Sequence, residues 1–246
     1  MEAKVLEISK NVFMISTFVP NTGLSINVFL IKDEKPTLID AGSAATIDAI
    51  LVKLKELIDP REIRYIFVTH EHPDHIGGLT SLISEAYDAK IIAHKHIEVH
   101  LGFMGIYGKT ISVEGGETFD LGTRKIKIYY TPIETLGTIS FFLEPDNIVF
   151  SGDYFGQILD AWKLVADLDK KTLVKKIKVF HQGLGYSTSN IKKYLGPLTK
   201  KNVSIIAVAH GAVITRDAKD VLKDGINLKL NPERKGSILA RLFGAR

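Results

Sequence analysis

The chain has 246 residues, 45% of them apolar and 24% charged, a composition that supports a sizeable core and excludes extended disorder. It contains no cysteine, so disulfides, thiolate-bound zinc, iron-sulfur clusters and thiol nucleophiles are excluded, and any metal must sit on His, Asp and Glu. The formal charge of +4 is small for this length, so the concentrated basic surface of a nucleic-acid binder is not expected.

Met1 to Lys10 alternates apolar and charged residues and does not read as a secretory signal. No window reaches the roughly 18 consecutive apolar residues of a spanning helix, so a soluble, cytoplasmic protein without a membrane partner is expected. Strand-like runs follow at Val12 to Phe18, Ser25 to Ile31 and Thr37 to Asp40. The first two are separated by the turn-forming Pro20-Asn21-Thr22-Gly23, which predicts an antiparallel meander. Ser43 reads as the N-cap of a helix to about Leu57, with Ile47, Ile50, Leu51, Leu54 and Leu57 at helical spacing and Asp59-Pro60 as the stop. A strand at Tyr65 to Thr69 ends at His70, and a helical pattern resumes over Ile76 to Tyr87.

Further strands are expected at Lys90 to Ala93, Lys125 to Tyr130, Thr138 to Leu143, Ile148 to Ser151 and Val203 to Ala209. Helices are expected near Asp169 to Val179, Asn190 to Thr199 and Thr215 to Lys223. The lysines from Lys170 to Lys178 read as the wet face of the first of these, with Leu173, Val174 and Ile177 inside. Strands and helices in both halves predict a layered α/β sandwich with mixed sheets. One domain is expected over residues 1–231. In the tail, 232–246, Ile238, Leu239, Leu242 and Phe243 lie among basic residues, as in a short docking helix or a homodimer contact.

The most informative segment is Thr69-His70-Glu71-His72-Pro73-Asp74-His75, which places three imidazoles and Asp74 within six residues of a buried strand's end. Imidazole nitrogen with carboxylate oxygen suits zinc, iron or manganese. His94, His96 and His100 form a second cluster without a carboxylate in a fixed partner position, and read as part of a solvated helix beside the cleft. The stretch Gly102 to Thr110 lacks the spacing and the strand-to-helix context of a phosphate-binding loop, and reads instead as an aromatic-bearing loop near the mouth of the site. His181, next to Gly183 and Gly185, reads as a helix end.

His70, His72, Asp74 and His75 resemble the signature motif of the metallo-β-lactamase superfamily. Leu38-Ile39-Asp40-Ala41-Gly42 is similar to its first strand-end motif, Ser151-Gly152-Asp153 to its bridging aspartate segment and Ala209-His210-Gly211 to its last histidine segment. The resemblance implies a four-layer αββα sandwich holding two divalent metal ions, with Asp40 supporting the site from behind the ligands. Where the superfamily usually has histidine, Thr131-Pro132-Ile133-Glu134-Thr135 offers Glu134, a carboxylate that adds negative charge beside Asp74 and Asp153 and weakens the pull on a bound water.

Two functions follow from the resemblance. The leading expectation is a hydrolase of a small-molecule ester, thioester, lactone or phosphodiester. In it His70, His72 and Glu134 hold one ion, Asp74, His75 and His210 the other, and Asp153 bridges, with zinc the first metal and iron or manganese as alternatives. The alternative is a stand-alone relative of the flavodiiron proteins that binds, senses or reduces oxygen and draws on an external electron donor. The eighteen residues between Glu134 and Asp153 and the segments Phe150 to Gly156 and Ala209 to Ile214 resemble that subgroup, although it usually has Glu where His72 stands. No room for a flavodoxin domain is expected.

Overall fold

The computed structural model describes residues 1–19, 22–159, 161–184 and 191–230. The first half builds a seven-stranded sheet in the order β1 (Ala3–Ser9), β2 (Val12–Val19), β3 (Leu24–Ile31), β4 (Thr37–Ile39), β5 (Tyr65–Phe67), β6 (Lys90–His94) and β7 (Thr110–Val113). Strands β1 to β4 pair antiparallel, as the meander predicts, and β4 to β7 pair parallel. Between the parallel strands run α1 (Ile47–Leu57), α2 (Pro73–Ile76), α3 (Leu79–Glu85) and α4 (Glu98–Phe103). The second sheet contains β8 (Thr118–Asp120), β9 (Lys125–Tyr130), β10 (Ile139–Glu144), β11 (Ile148–Phe150) and β12 (Ile205–Ala207), in reverse order across the sheet, and only β11 and β12 pair parallel. Helices α5 (Lys170–Leu184), α6 (Ile191–Leu195) and α7 (Ala218–Gly225) complete the described chain.

Period-two alternation divides the strands' side chains between two cores. Val28, Leu30, Leu38, Ile66 and Ile91 pack with Ile47, Ile50, Leu54, Leu79 and Leu82 of the first helix layer. Their neighbours Phe29, Ile31, Ile39, Phe67 and Ile92 face the other way, onto Phe141, Leu143, Ile148 and Phe150 of the second sheet. The outer face of that sheet, through Phe142, Val149 and Ile206, packs on Leu173, Ile177, Leu195 and Leu222. The layers are therefore helix, sheet, sheet, helix. Burying one such side chain stabilises the fold by about 1.5–3 kcal/mol. Edge-to-face pairs Phe29–Phe150 and Phe67–Phe141, each with centroids 5.2 Å apart, fix one sheet on the other.

Several elements depart from expectation. Helix α1 starts at Ile47, not just after Ser43, because Ser43 closes a turn by accepting from the amides of Thr46 and Ile47. The helical pattern from Ile76 is broken at Gly77-Gly78 into α2 and α3, and α2 takes in Pro73, Asp74 and His75, which the sequence places in a loop. Strands β1 and β8 lie outside the predicted elements; the alternation of Met1 to Lys10 is an edge strand against β2. Helix α7 begins only at Ala218, since Asp217 takes a left-handed φ of 54°. The expected docking tail, 232–246, lies outside the described residues. Among the described residues no helix is long and apolar enough to cross a membrane.

Candidate metal centre

Parallel strands bring their carboxyl ends to one edge, where open α/β sheets gather functional loops. Asp40 follows β4, Thr69 and His70 follow β5, Asp153 follows β11 and His210 follows β12. His72 caps α2, and Asp74 and His75 sit in its single turn. Glu134 lies on the connection from β9 to β10. The structure brings six of these side chains into two groups whose ligand atoms lie within 4.8 Å of one another: His70, His72 and Asp153, and Asp74, His75 and His210. Asp153 also joins the second group, with Oδ1 3.0 Å from His75 Nε2 and 3.1 Å from His210 Nε2. Asp74 Oδ2 stands 3.1 Å from His210 Nε2.

Three imidazoles are held from behind in the same way. His75 Nδ1 donates to Asp40 Oδ2 at 2.8 Å, His210 Nδ1 donates to the Ser25 carbonyl at 2.8 Å, and His70 Nδ1 lies 3.1 Å from Thr69 Oγ1. Thr69 in turn donates from both its amide and its hydroxyl to Asp40. Each contact fixes the ring and turns Nε2 into the site, toward Asp153 for His75 and His210 and, for His70, onto His72 Nδ1 at 2.8 Å, the arrangement that orients histidine ligands in metal sites. Asp40 adopts a left-handed φ of 61° to make these bonds, a strain of order 1–3 kcal/mol for a non-glycine residue. Gly211, at φ 95°, is required next to His210: a Cβ there would lie 2.5 Å from the Gln157 backbone oxygen.

Charges in the cluster are strongly mixed. Burial would lower His75 and His210, but the carboxylates facing them win: Asp40, Asp153 and Asp74 raise His75 well above its ordinary value, and Asp153 and Asp74 push His210 up to about 10. Burial would raise Asp153, yet His210, His75 and His70 hold it well below the usual carboxylate range. His70 is driven down by burial and then by the charge of His75. These imidazoliums occupy the electrostatic role that a divalent cation takes when bound, since binding requires their protons to leave.

Glu134 stands outside both groups. Both its carboxylate oxygens are buried without a hydrogen-bond partner, and burial followed by the Asp153 charge pushes its pKa up to about 8. A buried, unpartnered carboxylate beside an aspartate is costly unless a cation satisfies it. That orphaned acid, the two ligand groups and the all-oxygen-and-imidazole donor set fit a pair of divalent ions.

Other sequence candidates fall elsewhere. Residues 104–109 precede β7, whose Thr110 pairs with Ile91 near the start of β6, so parallel register puts that loop at the end of the sheet opposite the ligands. His181 is buried within α5, stacked on Tyr154 with centroids 4.3 Å apart, and its Nε2 accepts from the Phe155 amide. The role of Ser25 was missed; it lies 185 residues from His210, and nothing local to Ser25 announces it.

The chain matches the family described as ODP family beta lactamase over residues 24–211. A flavo-diiron protein of Clostridium acetobutylicum is 28% identical over 236 residues, covering 86% of this chain and 58% of that protein. A rubredoxin-oxygen oxidoreductase of Megalodesulfovibrio gigas is 28% identical, covering 76% and 46% respectively. The solved flavodiiron protein from Giardia intestinalis superposes with a TM-score of 0.82 at 21% identity, covering 92% of this chain and 59% of that one. The chain thus spans about half the length of the curated relatives it matches. The hydrolase and zinc expectations gain no support from these relatives; the diiron alternative does.

Proposed function

The chain belongs to the ODP family of β-lactamase-like proteins, and from that premise we propose that it is a dinuclear iron protein that binds and reduces oxygen or nitric oxide with electrons from an outside donor. One observation carries this reading beyond the relatives' names: Asp153 joins two ligand groups in a centre with two further carboxylates, Asp74 and Glu134. Three anionic side chains neutralise much of the charge of two ions, which works against acidifying a bound water and suits harder iron. His70, His72 and Glu134 would hold one ion, Asp74, His75 and His210 the other, and Asp153 both. Bound there, an iron pair would supply the binding positions and the redox change that a diatomic molecule needs.

The surrounding residues do the rest. Asp40, Thr69 and the Ser25 carbonyl fix three imidazoles so that Nε2 of each faces inward. The buried carboxyl of Glu134 keeps a proton up to about 8 before metal binds and would give it up on becoming a ligand. Protein expressed with iron and zinc both available and purified anaerobically tests the proposal. Two irons per chain with an absorption band that appears on exposure to oxygen would support it. Two zincs with turnover of a generic ester or phosphodiester would overturn it.

A further inference from the structure

The signature segment carries one acid that the ligand set does not use, Glu71, between His70 and His72. Its Oε2 accepts from the Thr135 hydroxyl at 2.7 Å, across 64 positions of chain. Thr135 is the residue after Glu134, and its Oγ1 also lies 3.1 Å from Thr138 Oγ1 and accepts from the Gly137 amide at 3.2 Å. Thr138 Oγ1 accepts from the Thr135 amide at 3.0 Å, so the short segment 134–138 is closed on itself around these two hydroxyls. The approach is close: a Cβ on Gly137 would lie 2.8 Å from Glu71 Oε2 and 2.7 Å from Ile97 Cγ1, so only glycine lets the carboxylate in. A second tie, Ile139 amide to Thr69 carbonyl at 2.9 Å, binds the far end of the segment to the same loop.

We infer that Glu71, acting through Thr135, is a positioning residue that clamps the β9–β10 connection onto the histidine loop and so holds the Glu134 carboxylate in the metal site. The physical need is plain. The carboxylate oxygens of Glu134 are buried without a close hydrogen bond, with only the Thr138 hydroxyl beside them, so where they sit in the centre is set by how the backbone of 134–138 is held. The clamp works through a hydrogen bond accepted by an oxygen, which predicts that an amide oxygen can replace the carboxylate. The inference rests on Glu134 as a ligand, and deepens that assignment.

The test uses the metal-free protein titrated with iron(II) anaerobically, and with cobalt(II) as an absorbing probe of the ligand field. Glu71→Ala should weaken one of the two ions by about tenfold or more, the scale of lost support behind a ligand, and shift the cobalt bands. Thr135→Val, which keeps the shape and removes the hydroxyl, should do the same. Glu71→Gln should stay within about twofold of the parent. In a Glu134→Ala background, Glu71→Ala should add nothing, as coupled residues behave in a double-mutant cycle. Amide exchange at Gly137 in the metal-free protein should speed up in Glu71→Ala and Thr135→Val but not in Glu71→Gln. Parent-like affinity in Glu71→Ala, equal damage from Gln and Ala, or additive losses with Glu134→Ala would each overturn the clamp. If Glu134→Ala alone leaves both ions bound as before, the ligand assignment fails instead, and Gly137 exchange alone then decides whether the clamp exists.

Discussion

The chain has two clusters of three histidines, and only one is built as a metal centre. His70, His72 and His75 stand among Asp74, Asp153 and, from across the fold, His210, and two of the three rest their Nδ1 on a side-chain oxygen. His94, His96 and His100 have neither feature. His94 is buried and stacks on Tyr130 at 4.7 Å and on His96 at 5.0 Å, and its Nδ1 accepts a 3.4 Å bond from the His96 amide. His96 and His100 are exposed, and among the described residues no carboxylate lies within ion-pair distance of any of the three. Burial, then the charges of His96 and Lys95, lower His94, whereas acids raise His75 and His210 despite burial. Density of histidine in the sequence is therefore a weaker signal than the oxygen atoms that hold each ring and the anions that face it.

The largest expected contrast is in metal content. Asp153→Ala should leave the purified protein nearly metal-free and lower its melting temperature in metal-containing buffer, because an ion that binds only the folded state stabilises it by mass action. His96→Ala should retain its metal and melt as the parent does. Equal losses in both variants, read by elemental analysis, would erase the distinction between the clusters. A milder break is Asp40→Asn, which keeps the size but changes what His75 Nδ1 meets. Metal affinity should fall by about 10–100-fold, and parent-like titration curves would show that the support behind His75 is idle.

Changing pH sharpens the comparison further. In the metal-free protein His210 keeps its proton to about 10 and Glu134 to about 8, so metal binding at pH 7 should release protons, and affinity should rise with pH towards 10. Calorimetry in buffers of different ionisation enthalpy counts those protons. The metal-free fold should move in the opposite direction. The folded state binds the His210 proton more tightly than the unfolded chain, with its ordinary value of 6.5, so stability is fully present below about 6.5 and is lost as pH rises through about 10. A melting temperature of chelated protein that rises from pH 7 to pH 9 would contradict this.

The smallest effect belongs to a histidine outside both clusters. Burial drives His181 down to about 3, so the unfolded chain binds its proton more readily, and stability falls as pH drops from about 6.5 toward 3. At pH 5 the loss is about 2 kcal/mol. His181→Asn, which cannot titrate in this range, should flatten the dependence of chelated protein between pH 7 and pH 5 by about that amount. An unchanged slope in urea melts would place the acid sensitivity elsewhere.

Much of the fold is legible in the chain itself. Alternation in Ser25 to Ile31, the apolar runs ending at Asp40, His70, Ser151 and Ala209, and the helical spacing of Ile47 to Leu57 reflect local periodicity that any pleated or helical backbone imposes. The same locality makes His70 to His75 conspicuous, since a strand end and one helical turn suffice to gather them. Tertiary structure decided what joins these ends. Sheet stacking brings Ser25 to His210 and Glu71 to Thr135, parallel register sends residues 104–109 to the edge away from the ligands, and His181 turns inward onto Tyr154. Such meetings depend on which strand lies beside which and on how the two sheets cross. A chain read one neighbourhood at a time carries the periods of its elements, but the relative placement of elements is set by burying all their apolar faces at once.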